Sequence, residues 1–405
     1  MTLLKGEYNV VPVEKVAFGV GSLESLPAEV ARYGAQRVAL YASRTLRETT
    51  DLVARVERLL GPAHAGTFSD TTQHVPRKTV LAAAEFARQV GADALVTFGG
   101  GSVTDLVKGV AMCLAADIHD LDGLDRMRIR FTLGGPVEIP SLPRPPIPHI
   151  AIPTTLSAGE FTNLIGITDE VRRVKDLFLD RNLVPGSIIL DPEVTVATPP
   201  WLWASTGMRS VDHAIEGLCS TTAQPVTDAL SADALDRLAR HLPGSAADPL
   251  DFEAKAQCQI AAWESIFGLV NVLLGLSHGI GHQLGARCNV PHGVTSCVML
   301  PTVMRFNLAH TTGPQARIAR IFATAGRGDA GLLAASDEVA AAAAGPAVRA
   351  FVELLGLPGR LRDVGVTEAD FAGIAADALD DIIVAGNPRP VSSVDEVVAL
   401  LREAF

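Results

Sequence analysis

Residues 93–102 read DALVTFGGGS, and a helix-period segment runs on from them to about Ala115. A short, largely apolar run that stops on three glycines and restarts as a helix reads as a buried strand, a tight turn and a helix. Upstream, Arg37–Ser43 (RVALYAS) reads as a strand, residues 46–60 as a helix, the region of Gly66 as a strand and residues 78–90 as a helix. Downstream, the proline-rich stretch 139–148 (IPSLPRPPIP) is a connector into a strand at HIAIPTT. Strand-like runs follow at 164–168, 174–179 and 187–190, and Asp191-Pro192 and Pro199-Pro200 then punctuate the chain. Strands alternating with helices predict a parallel sheet with helical crossovers. Beyond Pro200 long segments rich in Ala and Leu predict an all-helical part. The expected architecture is an α/β domain over 1–195 and an all-α domain over 196–405.

Composition bounds the function. The 405 residues are 48% hydrophobic and 20% charged, an ordinary globular balance for two domains. With 34 Lys and Arg against 45 Asp and Glu, the net charge of −11 disfavours nucleic acid and anionic membrane as partners. Five cysteines without C-x-x-C spacing read as reduced core thiols, as in a cytosolic protein. The start, MTLLKGEYNVVPVEK, lacks the apolar run of a signal peptide, and a cytoplasmic location is expected.

Gly99-Gly100-Gly101-Ser102 lets backbone approach a pyrophosphate while the following helix offers free N–H groups; Asp105 and Lys108 lie on that helix. The competing reading is a tight turn capped by Ser102. Thr154 and Thr155 end a strand ahead of Ser157, placing hydroxyls at the edge of the sheet where ligands bind, although a self-satisfied turn accounts for them equally well. Ser43-Arg44 ends the RVALYAS strand, where dinucleotide folds often carry an acid. That pair accepts a 2′-phosphate, so NADPH is permitted beside NADH; an exposed loop is the alternative.

The helical part carries the densest signal. His278, His282 and His292 fall within fifteen residues, His278 and His282 share a helix face, and His213 follows in the string DHAIEG. Together they point to a metal site or an acid/base cluster.

Taken in order, FGVGSLESL, FGGGSVTDLVKGVA, IPTTLSAGEFTNLIGITDE, the 175–191 run, GMRSVDHAIEGL, LSHGIGHQLGARCNVPHGVTSCVMLPTVMRFN and NPRPVSSVDEVVALLREAF resemble the iron-containing alcohol dehydrogenase family, within the dehydroquinate synthase-like superfamily. Among its branches the chain resembles the maleylacetate reductases. The resemblance implies an N-terminal dinucleotide-binding domain, a C-terminal helical domain, and hydride transfer between NAD(P)H and a carbonyl in the cleft between them. It places the pyrophosphate on Gly99, Gly100, Gly101 and Ser102, Thr154 and Thr155 along the cofactor, and Asp105 and Lys175 near it. A homo-oligomer, a dimer or a larger assembly, is implied.

Metal-dependent members hold a divalent ion with an Asp and three His. The histidines match His213, His278 and His292, and the Asp position is Arg209. A guanidinium accepts nothing and opposes a second cation, so no ordinary iron or zinc site is expected. Asp212 is one helix residue from His213, which aims its carboxylate elsewhere. Maleylacetate reductases also lack that Asp and work without metal. Arg209 then clamps a substrate carboxylate or polarises its carbonyl. His278, His282 and His292 are the candidate proton donors, His282 matching a family histidine near substrate and nicotinamide. The leading expectation is a metal-independent NAD(P)H-dependent reductase of a small, maleylacetate-like oxo-acid. The alternatives are a metal-dependent dehydrogenase of a small alcohol or aldehyde, a non-redox lyase holding NAD, and a cofactor-binding protein without catalysis.

Overall fold

The structure is a computed structural model and describes residues 6–131, 136–172 and 174–405. The first five residues, part of the amino-terminal stretch considered above, lie outside these. The described chain is a parallel sheet with helices followed by a mostly helical part, as the alternation of patterns predicts.

The described residues form eight strands: β1 Lys15–Phe18, β2 Val38–Ala42, β3 His64–Phe68, β4 Ala94–Gly99, β5 His149–Pro153, β6 Leu164–Asp169, β7 Val174–Leu179 and β8 Ser187–Leu190. Six form one sheet in the order β1-β8-β5-β4-β2-β3, and every pairing in it is parallel. β6 and β7 form a separate two-stranded antiparallel hairpin, which Thr168 of β6 bridges to Pro76.

Period-two alternation sorts the sheet's side chains onto two cores. Along β2, Val38, Leu40 and Ala42 join the cluster containing Leu26, Val30, Val53 and Val56. Ala39 and Tyr41 face the other way, onto Val80, Ala84, Val107 and Val110. A strand covered on both sides reads as a continuous apolar run, which is why RVALYAS is legible as one.

Two details differ from expectation. The helix predicted over 46–60 is two helices, Arg44–Thr49 and Leu52–Leu60. Thr50 breaks them by going extended, its hydroxyl bonding the Leu46 carbonyl at 2.6 Å and accepting from the Leu52 amide at 3.2 Å. RVALYAS is also the second strand, because KVAF pairs in register with β8 at the sheet's edge. A four-residue edge strand, its outermost residues exposed, lacks the apolar run that marks the central strands.

Two compact units result. One comprises Pro12–Trp203 with Asp248–Gln259; the other comprises Ala204–Ala247 and Ile260–Phe405 with the described residues up to Val11. The second has its own core, in which Leu276, Ile280 and Leu284 of one helix meet Ile374, Val397 and Leu401 of others. None of the five cysteines is in a disulfide. Among the described residues no single helix is long and apolar enough to cross a membrane.

Candidate active site

In the α/β unit, β4 ends at Gly99 and a fifteen-residue helix, Gly101–Ala115, begins two residues later. Its N-cap is Gly100 rather than Ser102, and no side chain caps it. The first-turn N–H groups therefore lack a side-chain acceptor, and they suit a phosphate. A Cβ on Gly100 would stand 3.0 Å from Thr155 Cγ2, and one on Gly101 would stand 3.0 Å from Ser157 Cβ. The glycines thus let the turn press against 154–157, bringing Gly99–Ser102, Thr154, Thr155 and Ser157 together. Thr154 N bonds Gly99 O at 3.0 Å, and the Thr155 and Ser157 hydroxyls lie 3.1 Å apart. The uncapped helix and the adjoining hydroxyls fit a dinucleotide's phosphates.

Asp105 approaches the hairpin, with Oδ2 3.5 Å from the Gly166 amide, and Lys175 lies across the Cβ-less face of that same Gly166. Lys108 is used internally: its fully buried ammonium bonds Thr162 Oγ1 at 3.0 Å and the Gly159 and Leu164 carbonyls, and so holds the chain after Ser157 in place. Burial pushes it down to about 8, against the pull of Asp105 and Glu160. Ser43 flanks the glycine turn, since a Cβ on Gly99 would stand 3.4 Å from its own Cβ, and Ser43 N bonds Phe98 O at 3.1 Å. Arg44 pairs with Asp70.

In the helical unit, Arg209, Asp212, His213 and Glu216 recur at three- and four-residue spacing on the helix Pro200–Cys219 and share a face. His278 and His282 lie on Leu276–Cys288, and His292 opens His292–Asn307. Asp212 Oδ2 accepts from the hydroxyls of Ser277 (2.9 Å) and Ser296 (2.6 Å) and lies 3.5 Å from Arg209 Nη1. Ser296 Oγ also accepts from Arg209 Nη1 at 3.3 Å. A Cβ on Gly281 would stand 3.8 Å from that nitrogen, so the guanidinium reaches the helix between His278 and His282.

Glu216 accepts from the Gly275 and Ser277 amides, both at 2.9 Å, and pairs at 2.6 Å with His278 Nδ1. The His213 and His278 rings are 5.0 Å apart, and those of His282 and His292 stack at 5.6 Å and 9°. His282 Nδ1 lies 2.9 Å from Asp381 Oδ2. The structure thus assembles all five residues singled out in this part of the sequence within one unit.

Electrostatics divide the histidines. Burial, each ring's neighbours and the Arg209 charge hold His213 and His278 well below the ordinary imidazole range, so both are neutral. Burial raises Asp212 and Glu216, against the pull of His278 and Arg209 on the first and of three backbone amides and Arg209 on the second. Three buried polar atoms of this cluster have no hydrogen-bond partner: Asp212 Oδ1, His213 Nδ1 and His278 Nε2.

These residues do not fit the ion of metal-dependent relatives. The buried cation of Arg209 lies on the same helix face as His213 and opposes a second cation there. Among the described residues, the donor atoms that converge are those of Asp212, Glu216 and His278, not those of the three histidines. Asp212 Oδ2 and both Glu216 oxygens are already committed to hydrogen bonds.

Sequence reasoning gave no role to Glu216, Ser277, Ser296 or Asp381. Glu216 was findable, because it is seven residues from Arg209 on one helix face; Asp381 is 99 residues from its partner and had no local signal.

The sequence pattern of iron-containing alcohol dehydrogenases matches residues 13–192, and the C-terminal pattern of the Fe-containing alcohol dehydrogenase family matches 203–405. Lactaldehyde reductase of Escherichia coli (strain K12) is 33% identical over 400 residues, covering 97% of this chain and 98% of its own. Maleylacetate reductase of Pseudomonas sp. (strain P51) is 29% identical over 394 residues, covering 96% and 95%. The crystal structure of maleylacetate reductase from Rhizobium sp. strain MTP-10005 superposes with a TM-score of 0.77 at 27% identity, covering 98% and 97%.

Proposed function

This chain belongs to the iron-containing alcohol dehydrogenase family and is an NAD(P)-dependent oxidoreductase; from that premise we propose that it reduces the carbonyl of a small oxo-acid without a metal ion. The observation that carries the reading is the buried Arg209 guanidinium, set between two histidine-bearing turns where metal-dependent relatives place a ligand for their ion. The 29% identity to a maleylacetate reductase supports it.

When bound, NAD(P)H supplies the hydride. Arg209 offers N–H donors and a fixed positive charge to a substrate oxygen, and Ser296 and Asp212 hold that charge in place. In a site closed to water such a charge stabilises developing alkoxide far more than it would in bulk solvent. His282 donates the proton. In its doubly protonated form it gives the Nε2 proton to the reacting oxygen and is left neutral, its Nδ1–H staying hydrogen-bonded to Asp381 Oδ2, whereas His213 and His278 are held neutral by burial.

The similarity to lactaldehyde reductase favours a second reading, a small aldehyde as substrate. A panel of oxo-acids and aldehydes, assayed with NADH and NADPH after EDTA and again with Fe²⁺ or Zn²⁺, separates the two. Oxo-acid turnover that survives EDTA is expected. Turnover only of aldehydes, and only with added metal, overturns the proposal. Arg209→Ala should lower kcat/KM for the oxo-acid by about 10²–10³, the size of losing a preorganised donor.

A further inference from the structure

The α/β unit joins two loops that the sequence keeps 26 residues apart. Because β2 lies between β4 and β3, the loop after β2 adjoins both the glycine turn and the loop after β3. Ser43 packs beside Gly99. Next to it, Arg44 forms an ion pair with Asp70, two residues beyond β3. Arg47, one turn further along, donates to Ser69 Oγ at 3.1 Å and to Thr67 O at 3.4 Å, and Thr71 Oγ1 reaches Ala42 O at 3.5 Å. The Ser69–Thr71 loop is therefore tied to the end of β2 by contacts on both sides of Asp70.

With the pyrophosphate on Gly99–Ser102, the adenosine ribose falls at the end of the neighbouring strand, where an acid selects a free 2′-hydroxyl and an arginine receives a 2′-phosphate. This chain has both kinds of group there, following different strands and paired to each other.

We infer that Asp70 sets the balance between NADH and NADPH by occupying Arg44, the cation that would meet a 2′-phosphate. NADH leaves the pair intact. NADPH must take Arg44 from a carboxylate that also repels the incoming phosphate. The pair is exposed at both ends, 54% and 69%, so the coupling is of the modest size typical of surface ions and weakens with salt. The inference rests on the dinucleotide reading of the glycine turn.

The test measures dissociation constants for NADH and NADPH by nucleotide fluorescence, without substrate, in four proteins: wild type, Asp70→Asn, Arg44→Gln and the double variant. Asp70→Asn should tighten NADPH by about threefold to tenfold at low salt and leave NADH within about twofold, the gain shrinking by 0.5 M NaCl. Arg44→Gln should weaken NADPH, and Asp70→Asn should then add less than it does in the wild-type background. An unchanged NADPH constant in Asp70→Asn, or equal shifts for both nucleotides, overturns the role of Asp70 and leaves the dinucleotide site standing. Failure of all four folded proteins to bind either nucleotide overturns the dinucleotide reading, and this inference with it.

Discussion

Arg209 Nη1 stands 3.5 Å from Asp212 Oδ2, one helical turn along the same helix, and both side chains are sealed from solvent, at 5% and 0% exposure. A buried cation without a counter-charge is costly, so the arginine and the aspartate form one electrostatic unit. Asp212→Ala should destabilise the protein by about 3–5 kcal/mol, because it strands the guanidinium. The double variant Arg209→Leu/Asp212→Leu should recover most of that loss. Urea midpoints of the three proteins decide it; a double variant no more stable than Asp212→Ala would show that the charges are not coupled.

Arg209→Asp should convert this site into a cation site. The change removes the opposing charge and adds a third carboxylate beside Asp212 and Glu216, next to the His213 and His278 rings. After dialysis against Zn²⁺ and then buffer, elemental analysis should find about one ion per chain in the variant and far less in the wild type. Retention of zinc by the wild type would remove the argument that the guanidinium replaces an ion.

How much of this could be read from the sequence varies with the range of the interaction. The glycine turn was legible because strand, turn and helix are contiguous and the hydrophobic period changes at Gly99. The hairpin β6–β7 was visible as two strand-like runs, but nothing local says that they leave the parallel sheet. Arg209 drew notice because the family resemblance implies an acid at its position. What holds it did not, since Ser296 is 87 residues away and its hydroxyl is one of many. Lys108 misled in the other direction: its place on the phosphate-facing helix suggests a ligand, yet the fold turns its ammonium inward onto Thr162 and two carbonyls.

Asp381 is argued to act through His282 as a positioning residue. Its Oδ2 accepts a hydrogen bond from His282 Nδ1–H at 2.9 Å, and its Oδ1 accepts one from the Ile383 amide at 2.9 Å. Asp381→Asn should lower kcat by about tenfold with KM for the oxo-acid within twofold, a loss smaller than the roughly 10²–10⁴ of a whole proton-transfer contribution because His282 itself remains. Asp381→Glu should recover part of it. A rise in KM with kcat unchanged would assign Asp381 to substrate binding instead.

The last prediction concerns acid stability and tests the packing beneath the sheet. His149 opens β5 fully buried, its Nε2 2.5 Å from Thr97 Oγ1 and its Nδ1 without a partner. Burial, helped by the Lys108 charge, pushes it down to about 3 from an ordinary 6.5. Between those values the unfolded chain binds a proton that the folded chain refuses, so stability rises with pH across the window and is lost as pH falls through it. The full contribution is present above about 6.5. From pH 6.5 down to pH 5 this single group should remove roughly 2 kcal/mol, at 1.36 kcal/mol per pKa unit. His149→Gln should weaken the protein at pH 7, because Thr97 loses a well-placed partner, yet flatten the acid limb by about that amount. Urea unfolding at pH 5, 6 and 7 checks the slope: parallel curves for the two proteins would mean that His149 is protonated in the folded state, and that Thr97 then serves as its acceptor.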